Sequence, residues 1–384
     1  MASVRLISAD SHVVEPADLW MERLDRAFKD RAPRVVPNEG RPGVSLVAPG
    51  ILPFPIASLW AAGKGGRELT AHMSQTQSEA RRSGWDPVER IKDQDIDGVE
   101  AEVIYPSLAM PLFGLTDAEL QQACFRIYND WLADYCSHNP KRLVGIGLIS
   151  LFDIDAGIRE LERCRKLALR GAMIWGAAPR DRPYGGPAYD PLWQAASDLN
   201  MPLSLHVLTG GELKGPTNKL TGDILRTGPE AATTRQVGGY IFMTADVQFT
   251  LVSLVLNRVL ERFPALKIVS AENDTGWLPH FMYRMDHAYE KYWNVAGMKQ
   301  FEMKPSDILR RNLRATFQDD PIGPATYEYF GADNYMWASD FPHSDSTWPN
   351  SREVVRTDFA RVPEEVTRKM VFDNAAQLYG IALD

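Results

Sequence analysis

The chain has 384 residues, 45% of them hydrophobic and 24% charged, an ordinary globular balance with enough length to bury a substantial core. Its formal charge of −8 speaks against a general nucleic-acid binder, and no apolar run nears the roughly 20 residues that a membrane span needs. Three scattered cysteines, Cys124, Cys136 and Cys164, suit neither a disulfide framework nor a zinc–cysteine cluster and read as reduced, buried thiols.

The first segment, MASVRLISAD, has no long apolar leader core and runs straight into a strand pattern, so a cytoplasmic protein is expected. In ISADSHVVEP, residues 7–16, period-two alternation puts Asp10 and His12 on one face at the end of that strand. Residues 30–84, rich in Pro, Gly and polar side chains, break the pattern. Then EAEVIYPS (100–107), RLVGIGLIS (142–150), GAMIWG (171–176) and MPLSLHVL (201–208) read as strands, followed by LKIVSAEN (266–273), LRATFQD (313–319) and YMWASD (335–340). Helical patterns lie between them, among them LTDAELQQACFRIYNDWLADYCSHNP, IDAGIRELERCRKLAL and LVSLVLNRVLERFP. In the last, Val252, Val255, Leu256, Val259, Leu260 and Phe263 recur at helical spacing until Pro264 stops the helix.

Eight strands alternating with helices predict an α/β protein: one domain over 1–384, folded as a distorted (β/α)8 TIM barrel with insertions at about 30–84 and 209–240. An open doubly wound sheet is the alternative, but no Gly-x-Gly-x-x-Gly turn follows the first strand. The second insertion follows the fifth strand at its C-terminal end, which places it over the active-site face.

In such a barrel the C-terminal strand ends meet at one mouth. Asp10 and His12, His206, Glu272 and Asp340 all stand at strand ends, each in phase with inward-facing neighbours such as Ser204, Ser270 and Ala338. Imidazole nitrogens and carboxylate oxygens converging from rigid elements are what a divalent ion needs. Taken alone, His206 reads as a hydrogen-bonded strand residue and Asp340 as the cap of the next helix. Together, four strands ending in ligand types with matching phase point to a shared metal site.

ISADSHVVEP, LSLHV, KIVSAENDTGWLPHFMYRMD and WASDFPHSDSTWP resemble the amidohydrolase-related family that includes aminocarboxymuconate-semialdehyde and resorcylate decarboxylases. The resemblance runs from residue 5 to the terminal VTRKMVFDNAAQLYGI, with the two insertions less typical. It implies a distorted (β/α)8 barrel holding a divalent metal, with ligands that map to Asp10, His12, His206 and Asp340. Zinc is the first expectation, with manganese or iron as alternatives, because Asp10 stands where many relatives carry a histidine and makes the ligand set harder. Glu272 stands at the sixth strand, where many relatives carry a histidine, and reads as a base or a ligand. With Glu15 and His343 nearby in the motifs, a second ion is an open alternative.

The expected chemistry is metal-dependent hydrolysis of a small organic substrate by a metal-activated water, with Glu272, Asp340 and His343 as the catalytic set. Non-oxidative decarboxylation of an aromatic or unsaturated acid is the first alternative, and oxygen activation at a dinuclear iron or iron–manganese centre the second. Glu15 also reads as a helix cap or a partner of His12, and His343 and Asp345 as residues that orient a ligand or as loop polars. Trp85, Tyr105, Trp175 and Trp348 are candidates for an apolar pocket or for plain core. Arg81 and Arg82 read as a solvated face or a carboxylate grip, and His280 and His287 as helix residues. No nucleic acid or membrane partner is expected, and a homo-oligomer is.

Overall fold

Each of the eight strand patterns forms a strand in the computed structural model, which describes residues 4–40, 42–210, 238 and 240–382. In chain order they are β1 (Ile7–His12), then, after a separate hairpin sheet, β5 (Ala101–Tyr105), β6 (Leu143–Leu148), β7 (Gly171–Ile174), β8 (Leu203–His206), β9 (Ile268–Ala271), β10 (Leu313–Phe317) and β11 (Tyr335–Trp337). They pair in sequence order, parallel throughout, as a (β/α)8 TIM barrel. Parallel strands are covered on both faces, which is why these segments are near-continuous apolar runs.

The barrel closes just beyond the formal end of β11. Asp340 N–H donates to the Asp10 carbonyl at 3.0 Å, and His12 N–H donates to the Phe341 carbonyl at 2.7 Å. The closing seam therefore runs between the two strands that carry Asp10, His12 and Asp340. Pairing between β1 and β5 slips between Ser8 and Ser11, yet Asp10 and His12 still face the mouth together. Inside the barrel a polar layer lies deeper: Tyr105 and Ser204 hydroxyls are 2.8 Å apart, and Tyr379 of the terminal helix reaches within 3.4 Å of Tyr105.

The surrounding helices start where side chains cap them. Asp117 accepts the Leu120 N–H ahead of helix Ala118–Ser137, and Asp153 accepts the Ala156 N–H ahead of helix Ile154–Lys166. The continuous helix expected over LVSLVLNRVLERFP is broken. One helix spans Ala245–Leu256, and a short one spans Val259–Arg262 after Arg258 adopts a left-handed φ of +61°. Leu254 before the break and Leu260 after it are both buried.

The first insertion is not structureless. It builds an antiparallel sheet of β2 (Arg34–Pro37), β3 (Val44–Ala48) and β4 (Ile51–Pro55), then folds back on the barrel mouth. Ala62 N–H donates to Pro342 C=O and Ser344 N–H to Ser58 C=O, so this insertion braces the loop after β11. Of the second insertion, residues 211–237 and 239 lie outside the described residues, and so does its expected placement over the active-site face. Among the described residues no helix is long and apolar enough to cross a membrane. The three cysteines are free and buried.

Candidate metal centre

Five side chains from four strand ends point at one spot. His12 Nε2 lies 3.4 Å from Asp10 Oδ1, 3.2 Å from Asp340 Oδ1 and 3.5 Å from Glu272 Oε2. His206 Nε2 lies 3.8 Å from the same Asp10 oxygen and 3.3 Å from the same Glu272 oxygen. Metal–ligand bonds of about 2.1 Å set neighbouring ligand atoms roughly 3.0–3.5 Å apart, close to this spacing. All five residues are buried, yet Asp10 Oδ1, His12 Nε2, His206 Nε2, Glu272 Oε2 and both Asp340 oxygens find no hydrogen-bond partner among the described residues. Leaving so many buried polar atoms open is costly unless something else binds them, and a cation fits this donor set.

The two imidazoles are oriented from behind. A carbonyl can only accept, so His12 Nδ1–H donates to Pro106 C=O at 2.6 Å and His206 Nδ1–H to Val207 C=O at 3.0 Å. Each bond fixes the tautomer that leaves an Nε2 lone pair for the ion. Thr316, on β10, ties two of the carboxylate residues together by donating to Asp10 Oδ2 at 3.0 Å and accepting the Glu272 N–H at 2.8 Å. Glu272 and Asp340 both adopt left-handed backbone, with φ of +53° and +54°, rare for residues with a side chain and typical of functional turns.

Charge follows from this crowding. Burial alone would push the Asp10 carboxyl up, but His12 and His206 outweigh it and hold it well below the usual range. For His12 and His206 burial works downward, and the carboxylates reverse it, so both imidazoles are raised. Burial dominates for Asp340, which is raised. The pocket thus holds positive charge strongly, whether protons or an ion supply it.

His343 joins this group. Its ring stacks on His12 with centroids 3.9 Å apart, Nδ1 lies 3.0 Å from Asp340 Oδ1, and Nε2 lies 2.8 Å from Ser107 Oγ. Burial first, and His12 second, push its pKa well below the ordinary value. The order Asp340, His343, Ser107 copies the order of a serine-hydrolase triad, but Ser107 is fully buried and has no open face for a substrate carbonyl.

Two overlapping clusters of metal-capable side chains share His12: Asp10, His12 and His206 in one, His12, Glu272, Asp340 and His343 in the other. Glu15 belongs to neither. Its carboxylate accepts three consecutive backbone N–H groups, from Ser107 at 3.2 Å, Leu108 at 2.8 Å and Ala109 at 3.0 Å, which corrects its reading as a ligand of a second ion. These three amides turn the carboxylate to the 106–109 loop and away from both clusters.

Arg81 pairs with Asp93 and the exposed Arg82 with Asp86, so the structure spends neither on the mouth. His280 and His287 flank Tyr283 on the outer face of helix Leu278–Tyr292. Trp175 is buried and donates to Phe113 C=O, while Tyr105 sits beneath the imidazoles. Asp345 accepts from the Tyr240 hydroxyl. Sequence reasoning missed Thr316, Ser107 and the fully buried Arg90, whose guanidinium donates to the His12 and Phe341 carbonyls across the barrel seam. Only Arg90 leaves a trace in the sequence, as the lone arginine on the inward side of the helix pattern before β5.

The sequence model of the amidohydrolase family matches residues 54–381. A gamma-resorcylate decarboxylase of Polaromonas sp. is 26% identical over 272 residues, 66% of this chain and 76% of that protein. The whole chain also superposes on the whole of an amidohydrolase from Mycobacterium avium subsp. paratuberculosis, with a TM-score of 0.76 and 20% identity. A dihydroxybenzoic acid decarboxylase from Polaromonas sp., solved with manganese and the inhibitor 2-nitroresorcinol, matches 99% of this chain and 98% of its own with a TM-score of 0.64 and 17% identity. These structural likenesses carry the fold.

Proposed function

The chain belongs to the amidohydrolase family, and on that premise we propose that it is a metal-dependent decarboxylase of a small aromatic carboxylic acid. The observation that carries this reading is the convergence of unpartnered atoms from Asp10, His12, His206, Glu272 and Asp340, in a chain whose curated relative is a decarboxylase. Manganese moves ahead of zinc: three of the five donors are carboxylates, a hard set, and a related decarboxylase holds manganese. Asp10, His12, His206, Glu272 and Asp340 would hold a divalent ion, which would supply Lewis acidity for a bound carboxylate.

The protein's own groups do the rest. His12 and His206 are held in one tautomer by Pro106 and Val207. Glu272 fills the space between both imidazoles and acts as a ligand rather than a free base. Asp340, raised by burial and with two open oxygens, one to meet an ion and one to carry a proton, adds the proton. The bond between ring carbon and carboxylate breaks, its electron pair stays on the ring carbon, and the Asp340 proton lands there, so no oxidant or reductant is needed. The proton that Asp340 spends is restored from water, and His343 Nδ1, 3.0 Å from Asp340 Oδ1, orients that carboxyl between turnovers.

Hydrolysis, placed first from the sequence, draws no support from the curated relative, and the triad-like Ser107 is sealed from substrate. Oxygen chemistry at two ions loses one of its three expected ligands, Glu15, which is bonded to backbone amides, while Glu272 and His343 share a cluster with His12 and Asp340.

The test is to load the protein with Mn2+ and offer γ-resorcylate and other hydroxybenzoic acids in D2O. We expect CO2 release, with one deuterium at the ring carbon that lost the carboxylate, and a fall of at least about 100-fold in rate in Asp340→Asn. Cleavage of amide or ester substrates without CO2 release from any acid would overturn the proposal.

A further inference from the structure

One loop touches both imidazoles that the seam brings together. Pro106 C=O accepts from His12 Nδ1 at 2.6 Å, and the next residue, Ser107, places its hydroxyl 2.8 Å from His343 Nε2. The backbone that carries these two groups is held by Glu15. The carboxylate is fully buried, with Oε2 accepting from Ser107 and Leu108 and Oε1 from Ala109. Three consecutive N–H groups converging on one anion form a nest that fixes the turn more rigidly than single hydrogen bonds would. Burial raises the Glu15 carboxyl against the opposing pull of the amides, and its two oxygens are the acceptors that the three N–H groups need.

Glu15 itself is anchored on the far side. Gln77 donates to its carbonyl at 2.8 Å, and the neighbouring Ala17 N–H donates back to the Gln77 side chain at 3.0 Å. Glu15 follows His12 by three residues, so β1 supplies a ligand and, one short step later, the anchor for the loop that orients that ligand.

We propose that Glu15 is a positioning residue, which sets His12 and His343 together by holding the 106–109 loop, and is not a ligand to any ion. The assignment rests on the reading of His12 as a metal ligand given above. If the loop moves, Pro106 C=O leaves the His12 Nδ1–H, the imidazole is free to rotate or to change tautomer, and the lone pair aimed at the ion is lost. Partners that orient a metal-bound imidazole in this way are worth about 10–100-fold in metal affinity. The same movement withdraws the Ser107 hydroxyl from His343, so both imidazoles respond to one substitution that touches neither.

The test uses Mn2+ alone on the full chain stripped of metal, with affinity and stoichiometry from titration calorimetry and imidazole nitrogen couplings from pulsed electron paramagnetic resonance of the bound Mn2+. In Glu15→Gln, an N–H group replaces one acceptor of the nest. The expected result is Mn2+ binding weakened by at least about tenfold, with unchanged stoichiometry and a shifted coupling for one of two imidazole nitrogens. Asn129→Ala, which breaks a buried hydrogen-bonded network to Leu148 and Glu160 away from the site, controls for destabilisation and should bind Mn2+ as the wild type does.

Affinity and couplings in Glu15→Gln equal to wild type would overturn the proposal. So would a drop from two Mn2+ per chain to one, since Glu15 would then be a ligand. If Glu15→Gln does not yield folded protein, Glu15→Asp, which keeps the charge but shortens the reach, decides on the same two measurements. His12→Ala separates this proposal from the metal reading: wild-type Mn2+ binding there would sink the metal site itself, whatever Glu15 does.

Discussion

Two groups of buried charge meet at the barrel seam, and they are built in opposite ways. Arg90 and Glu102 form a fully buried ion pair at 2.6 Å, and the remaining guanidinium nitrogens donate to the His12 and Phe341 carbonyls at 2.6 and 3.2 Å. At the barrel mouth, Asp10, His12, His206, Glu272 and Asp340 are also buried, but keep six polar atoms without partners among the described residues. The first group spends its charge on holding β1 to the loop after β11. The second leaves its charge open, which a scaffold would not do, because unpaired buried charge costs stability. The difference separates structural charge from a binding site without reference to any relative.

That contrast breaks most sharply at Arg90. Arg90→Ala strands Glu102 and frees two carbonyls, so unfolding by urea should show a loss of about 3–5 kcal/mol. A loss under about 1 kcal/mol would mean that the pair is not the scaffold described here. At the open cluster the sign depends on the ion. Saturating Mn2+ should stabilise the wild type by about 4 kcal/mol at roughly 1,000 times Kd, and this gain should vanish in His206→Ala. Without metal, His206→Ala should cost less than Arg90→Ala, since its Nε2 makes no hydrogen bond and only its charge interaction with Asp10 and Glu272 is lost.

The smallest effect concerns protons. His12 and His206 are both raised above the ordinary imidazole value by the carboxylates around them, and each must lose its proton before it can bind an ion. Protons therefore compete more strongly as pH falls, and Mn2+ affinity should drop by up to about tenfold per pH unit for each proton displaced. Calorimetry in buffers of different ionisation enthalpy counts those protons directly. Affinity independent of pH between about 6 and 8 would show that neither imidazole is a ligand.

Much of this was legible along the chain. Buried parallel strands leave contiguous apolar runs, so all eight barrel strands could be placed, and residue types at their ends marked Asp10, His12, His206, Glu272 and Asp340. Local pattern was a poorer guide where tertiary packing overrode it. The helix after the second insertion breaks at Arg258, and the first insertion, which reads as a Pro- and Gly-rich loop, pairs into a sheet across residues 34–55. Thr316 and Ser107 were invisible because a hydroxyl in a strand or a loop looks alike whether or not it meets a ligand from a distant strand.

The sequence by itself determined the barrel and the kinds of ligand it offers, because both depend on residue type and period within single segments. Only the tertiary structure decided what each charged group is used for. Glu15 and Glu272 are the same residue type at the same sort of position, beyond a strand carrying metal-capable residues. One meets three backbone amides and becomes a brace, while the other keeps Oε2 free between two imidazoles. That choice is made by segments some 90 residues away in the first case and by the strands that carry His12 and His206 in the second, and no local pattern encodes which neighbours arrive.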